Sequence, residues 1–234
     1  MSLMDRVREA AGGRARWAGL RHFTAHLLLD GALVERFEQR PSLKEIVVEG
    51  DIERRSMRIS GFSPAGACWG FHPNFVTIQR DDGGLRGTRR EIAPHALATP
   101  QDEAELVYLC GLAIWTCLTA PVVLLDDAAH AEDLGAWPEH GQTWQRLKVS
   151  MPEGALAFGR EAVLYFGEDG LLRRTDFDAV CGDATQLVVN ASAHQAFCGL
   201  TLPTLHRIVR GPGLAAPQKR QPILDLEIFD AAFD

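Results

Sequence analysis

The stretch Thr99–Leu124 reads TPQDEAELVYLCGLAIWTCLTAPVVL, and the fold turns on it. Thr99 suits an N-cap and Pro100 the first helical position. Asp102 and Glu103 suit the first turn, where free amides favour negative charge. The pattern predicts one helix over about residues 100–118. Pro121 lacks a donor and crowds the preceding turn, so the helix should end near Thr119. From Leu106 to Leu125 there are twenty residues without a charge, which is long enough to cross a bilayer. Pro121 interrupts that run, however. Asp102, Glu103 and Glu105 precede it and Asp126 and Asp127 follow it, so no basic flank marks a cytoplasmic side. A helix apolar on every side belongs inside protein or lipid. Protein is the expected surrounding, and the chain is not expected to span a membrane.

Outside this stretch the apolar period is two. Strands are expected at Leu20–Leu29, Leu33–Gln39, Leu43–Glu49, Ser56–Phe62, Phe75–Arg80 and Leu85–Ile92 before the helix. After it they are expected at Trp144–Met151, Glu161–Phe166, Leu171–Phe177, Gln186–Ser192, Thr204–Val209 and Ile223–Phe229. Asp30-Gly31 reads as a hairpin turn. A short N-terminal helix over 4–11 should stop at Gly12-Gly13. A long meander must hide its apolar face against something. One helix apolar all round supplies the partner. The expected class is mainly β (α+β): a single domain, 1–234, built as a curved antiparallel sheet of about 10–11 strands. The sheet forms an unclosed half-barrel wrapped around the buried helix.

Composition narrows the function classes. The net charge of −7 argues against a nucleic-acid partner. Between Arg90 and Arg146 there are nine acidic residues and no Lys or Arg. The five cysteines, Cys68, Cys110, Cys117, Cys181 and Cys198, form no C-x-x-C pair, so neither a disulfide framework nor a zinc site is indicated. No secretory signal is visible, and cytoplasm is the expected compartment. No nucleotide loop and no G-x-S-x-G elbow occur. His22 and His26 are four apart, but on a strand they stand about 13 Å from each other and cannot share an ion. His130, Glu132, Asp133, Glu139 and His140 read as a solvated acidic loop. No metal and no cofactor are expected.

Several pieces of the second half resemble an uncharacterised family of bacterial proteins. They are TWQRLKVSMPEG (Thr143–Gly154), LYFGEDGLLRRTDFD (Leu164–Asp178) and GLTLPTLHRIVR (Gly199–Arg210). The helix stretch and AWPEHGQTW (Ala136–Trp144) follow the same order. The likeness covers most of the chain from about Asn74 onward. The family has Tyr where this chain has Phe177 and Arg where it has His206. More distantly, the arrangement resembles the half-barrel of bacterial lipoprotein carriers and of the violacein-pathway enzyme built on that fold. The first likeness implies an apolar cavity for a hydrophobic or lipid-like ligand. The second implies small-molecule chemistry without a cofactor.

Candidate site residues follow from both lines. Tyr108 and Trp115 share one face of the helix, and Trp69 alternates with Gly70 on a sheet segment. All three could line a cavity or simply fill core. On the charged strand, period two puts Leu172, Arg174, Asp176 and Asp178 on one face and Leu171, Arg173, Thr175 and Phe177 on the other. The more polar face should point away from the helix. Turned inward, Arg174 would instead hold an anionic head and Asp176 orient it, with His194 and His206 in reach. Three readings stay open: a binder of hydrophobic small molecules, a cofactor-independent enzyme, or a protein-interaction module.

Overall fold

The computed structural model describes residues 2–35, 43, 45–61, 68–80, 84–90, 100, 102–123, 130–139, 141–150, 160–177, 186–210 and 222–234. Before the long helix come α1 (Leu3–Ala10), α2 (Arg14–Ala18), β1 (His22–Asp30), α3 (Ala32–Glu35), β2 (Ile46–Asp51), β3 (Ser56–Ser60), β4 (Cys68–His72), β5 (Phe75–Gln79) and β6 (Leu85–Arg90). The long helix is α4 (Glu103–Val123). After it come β7 (His130–Glu139), β8 (Gln142–Ser150), β9 (Glu161–Phe166), β10 (Leu172–Phe177), β11 (Leu187–Phe197), β12 (Leu200–Arg210) and β13 (Leu224–Phe233).

All thirteen strands form one antiparallel sheet in the order β6-β5-β4-β3-β2-β1-β13-β12-β11-β10-β9-β8-β7. The chain starts in the middle of the sheet and walks outward to one edge. It crosses by way of α4 and resumes at the opposite edge. From there it returns to the middle, where β13 pairs with β1. The two edges, β6 and β7, do not meet, so the sheet curves around α4 as an unclosed half-barrel.

The helix departs from its expected limits at both ends. The helix begins at Glu103 and Asp102 caps it, its side chain accepting from the Glu105 amide at 3.0 Å; Thr99 lies outside the described residues. The helix runs past Pro121 to Val123. Val107, Leu109, Cys110, Leu112, Ala113, Ile114, Cys117 and Leu118 are all buried, and at 100° per residue they point in almost every direction. Burial pushes the Cys110 thiol up to about 12 and Cys117 higher still. Among the described residues no helix is long and apolar enough to cross a membrane.

The helix runs across the strands. At its start Arg89 of β6 pairs with Asp102 and, at 3.0 Å, with Glu105, which is buried. Tyr108 packs on Phe71 of β4 with ring centres 5.5 Å apart. Trp115 packs on Phe23 of β1 at 6.0 Å. Those seven residues advance about 10 Å along the axis while the sheet partner moves three strands, about 14 Å. Close approach depends on Gly111. A Cβ there would lie 2.3 Å from Phe71 Cδ2. Ala normally improves on Gly inside a helix by about 0.5–1 kcal/mol. Gly111→Ala is expected instead to lower stability by about 1–3 kcal/mol through overpacking. Urea unfolding checks this, with Phe71→Leu restoring part of the loss. A more stable Gly111→Ala protein would contradict the close contact.

Three expectations are corrected. Leu33–Glu35 is not a return strand: Gly31 takes φ 119° and leads into α3, whose Leu33 and Val34 are buried. A side chain at Gly31 would press on the β13 backbone at 3.0 Å. The rest of that expected strand, 36–39, lies outside the described residues. His130–Glu139 is not a loop but edge strand β7, paired along its length with β8. Charged edge strands deter wrong pairing and therefore read like loops. The sheet segment expected around Trp69 and Gly70 is a full strand, β4, and with β7 it brings the sheet to thirteen strands where about 10–11 were expected.

Candidate functional site

The structure places the charged strand on the face away from α4. Phe177 belongs to the apolar core that contains α4, as do Leu164 and Phe166 on β9. Their alternates, Asp176, Arg174 and Tyr165, therefore point the other way. The pairing register slips between Leu172 and Arg174, leaving Arg173 as a bulge. Leu172 consequently packs against the core instead of sharing a face with Arg174, which corrects the simple parity reading. Asp178 lies outside the described residues.

This outer face is not wet at Arg174. The side chain is only 2% exposed. Its Nε and Nη2 donate to the two Asp176 oxygens at 2.6 Å each, a fork-to-fork pair. Its guanidinium lies 4.6 Å over the Tyr165 ring. Tyr165 donates its hydroxyl to Asp176 at 3.1 Å. Glu139, arriving from β7, stands 3.5 Å from Arg174 Nη1 and accepts from Trp137 Nε1 at 2.9 Å. Trp137 and Trp144 set their rings edge-on to Tyr165. Arg146 covers Trp137 and donates to the Leu134 carbonyl at 2.9 Å, which the β7 bulge takes out of the ladder.

β7 is three strands from β10, about 14 Å along a flat sheet. The Glu139 contact therefore shows the β7–β8 hairpin tip curling over the outer face. Electrostatics follow from that cover. Burial and the Asp176 charge push the Tyr165 phenol up to about 12. Burial alone would lower the Arg174 pKa, but the hydrogen bond and charge of Asp176 outweigh it and hold it above its ordinary value.

The two candidate histidines do not join this cluster by any hydrogen bond. His194 lies 2.9 Å from the Leu172 carbonyl by Nε2 and 3.2 Å from Arg173 Nη1 by Nδ1. A carbonyl only accepts and a guanidinium only donates, so the ring is neutral with its proton on Nε2. Burial and Arg173 both push its pKa down. Arg173 also pairs with Asp169. His206 is buried and donates from Nε2 to the Pro203 carbonyl at 3.0 Å. By strand parity it faces the core beside Leu202 and Ile208. His22 and His26 lie on the exposed side of β1.

The aromatic candidates are on the other side of the sheet. Trp69 is fully buried and Trp115 nearly so, and Tyr108 is half-buried. Burial pushes the Tyr108 phenol up. Along the described turns the helix itself occupies the concave side. The seven candidates thus divide: Trp69, Tyr108, Trp115 and His206 toward the core, Arg174 and Asp176 together on the outer face, and His194 on Arg173. Sequence reasoning missed Tyr165, Glu139 and Trp137. Only the strand registers bring them to Arg174, and Trp137 and Glu139 reach it through a strand that reads as loop.

No family model and no curated protein matches this sequence. Solved structures do match its shape. A domain from Vibrio parahaemolyticus described as outer-membrane lipoprotein-sorting superposes with TM-score 0.55 at 11% identity, over 99% of this chain and 92% of that one. A LolA superfamily protein from Nitrosomonas europaea gives 0.56 at 11%, over 97% and 92%. The fold is lipoprotein-carrier-like. A DUF1329 family protein from Desulfovibrio piger shares it, with TM-score 0.54 at 9% identity over 100% and 94%. At such identities the likeness is one of fold. A lipoprotein-carrier-like sheet is what the sequence resemblance implied.

Proposed function

We propose that this protein binds a hydrophobic or lipid-like small molecule between α4 and the concave face of the sheet. The observation that carries this is a helix with no polar face, buried through nearly all its directions inside a sheet that never closes. A closed barrel has its radius set by strand number and shear. An open sheet can relax its curvature without breaking a ladder hydrogen bond. An apolar ligand could then take contacts that α4 now makes with Phe71 and Phe23, at little loss of buried apolar area. The fold shared with a domain described as lipoprotein-sorting supports the same reading. The enzymatic alternative requires a histidine within reach of Arg174 and Asp176, and the hydrogen bonds of His194 and His206 go elsewhere.

Native mass spectrometry of the purified protein tests the proposal. An apolar species should co-purify, leave on solvent extraction and be replaced by added palmitate. An extracted protein that binds neither palmitate nor an apolar dye saturably would overturn it.

A further inference from the structure

The outer face carries a feature that a concave binding site leaves unused. A groove of about 620 Å3 opens over β12, β13 and β1, within the size range of small-molecule sites. Its wall includes Trp144 and Glu139 from the curled hairpin, together with Arg173. Its floor contains two cross-strand rows. One row is Leu205, Glu227 and Leu28, so a carboxylate stands between two leucines. The next row is Arg207, Asp225 and Asp30.

The charges do not balance. Arg207 holds Asp225 with bonds of 3.0 and 3.3 Å. Asp30 lies directly opposite Asp225, where like charges are unfavourable. Arg173 is engaged by Asp169 and His194, and Glu139 by Arg174 and Trp137. Among the described residues no basic group pairs with Asp30 or Glu227. The apolar side is equally open: Leu205 is 41% exposed, a large aliphatic left uncovered in front of Trp144.

We infer that this groove is a second binding site, for a small organic cation with an apolar body. The body lies on Leu28, Leu205 and Trp144. The cationic group sits between Glu227 and Asp30, the two groove carboxylates that no basic group holds among the described residues. An anion is disfavoured, because both arginines at the groove already hold carboxylates. The site is independent of the concave one, since its floor side chains point away from α4.

Three probes of one shape test it: phenylpropylamine, phenylpropanol and phenylpropionate, titrated against intrinsic fluorescence and by calorimetry. The amine should bind, the alcohol about tenfold more weakly, and the acid not measurably. Glu227→Gln replaces an exposed side chain and should weaken the amine roughly fivefold while leaving the alcohol unchanged. Leu205→Ser should weaken both, with near-ultraviolet circular dichroism confirming an unchanged fold. Equal affinity for amine and alcohol, absence of saturable amine binding, or amine binding that neither variant alters would each overturn the inference. That last result would place the amine elsewhere and leave the concave proposal untouched.

Discussion

Replacing Arg174 by alanine is expected to destabilise the protein by about 3–5 kcal/mol, among the largest single effects available in this sheet. The reason is what stays behind. Asp176, 15% exposed, would remain under the hairpin without the guanidinium that holds both its oxygens, and Glu139, 14% exposed at the hairpin tip, would lose its contact with that cation. Tyr165 would also lose the cation over its ring. Urea unfolding measures the loss. A companion protein, Arg174→Met with Asp176→Leu, removes the pair together and should recover at least about 1 kcal/mol of it, because paired burial is near neutral against apolar groups of similar shape. An exposed pair would behave differently, contributing about 0–1 kcal/mol. A loss below about 1 kcal/mol for Arg174→Ala would show that the hairpin does not cover this site.

That contrast marks the limit of what the chain revealed before its structure. The apolar stretch that begins at Leu106 announced a buried helix, since a helix without a polar face has to be covered, and its described side chains up to Thr119 are largely buried. The alternating runs announced strands, and together they implied an open sheet around a helix. Parity also put Arg174 and Asp176 on the face away from the helix. It could not show that this face is covered. Cover comes from Trp137, Glu139 and Trp144 on a hairpin whose first strand reads as an acidic loop. Two bulges, at Arg173 and Leu134, reset which residues share a face. A bulge moves every residue beyond it to the opposite side, and nothing in local composition marks it. The Leu205-Glu227-Leu28 row was hidden for the same reason, being assembled from three strands and readable in none.

Acid should expose a second weakness, located at His206. An unfolded histidine titrates near its ordinary 6.5, whereas burial lowers His206 to about 4. The Pro203 carbonyl supports the proton on Nε2 and offsets part of that shift. Nδ1 meets no hydrogen-bonding partner among the described residues, so a second proton would be donated into apolar core. His194 is the neighbouring titratable ring, and its charge would oppose the proton further. The folded pKa is depressed, so the unfolded chain takes up the proton first as pH falls. The stability tied to His206 is fully present above about pH 6.5. It is lost as pH falls toward 4, by about 3 kcal/mol at 1.36 kcal/mol per pH unit. His206→Gln keeps a donor for Pro203 and removes the titration. Between pH 7 and 4 the parent protein should therefore lose about 3 kcal/mol more than this variant in urea unfolding. The carboxylates and His194 titrate in both proteins, so they cancel in the comparison. Parallel pH profiles would mean that His206 is hydrated and that the core is open on its side of the sheet.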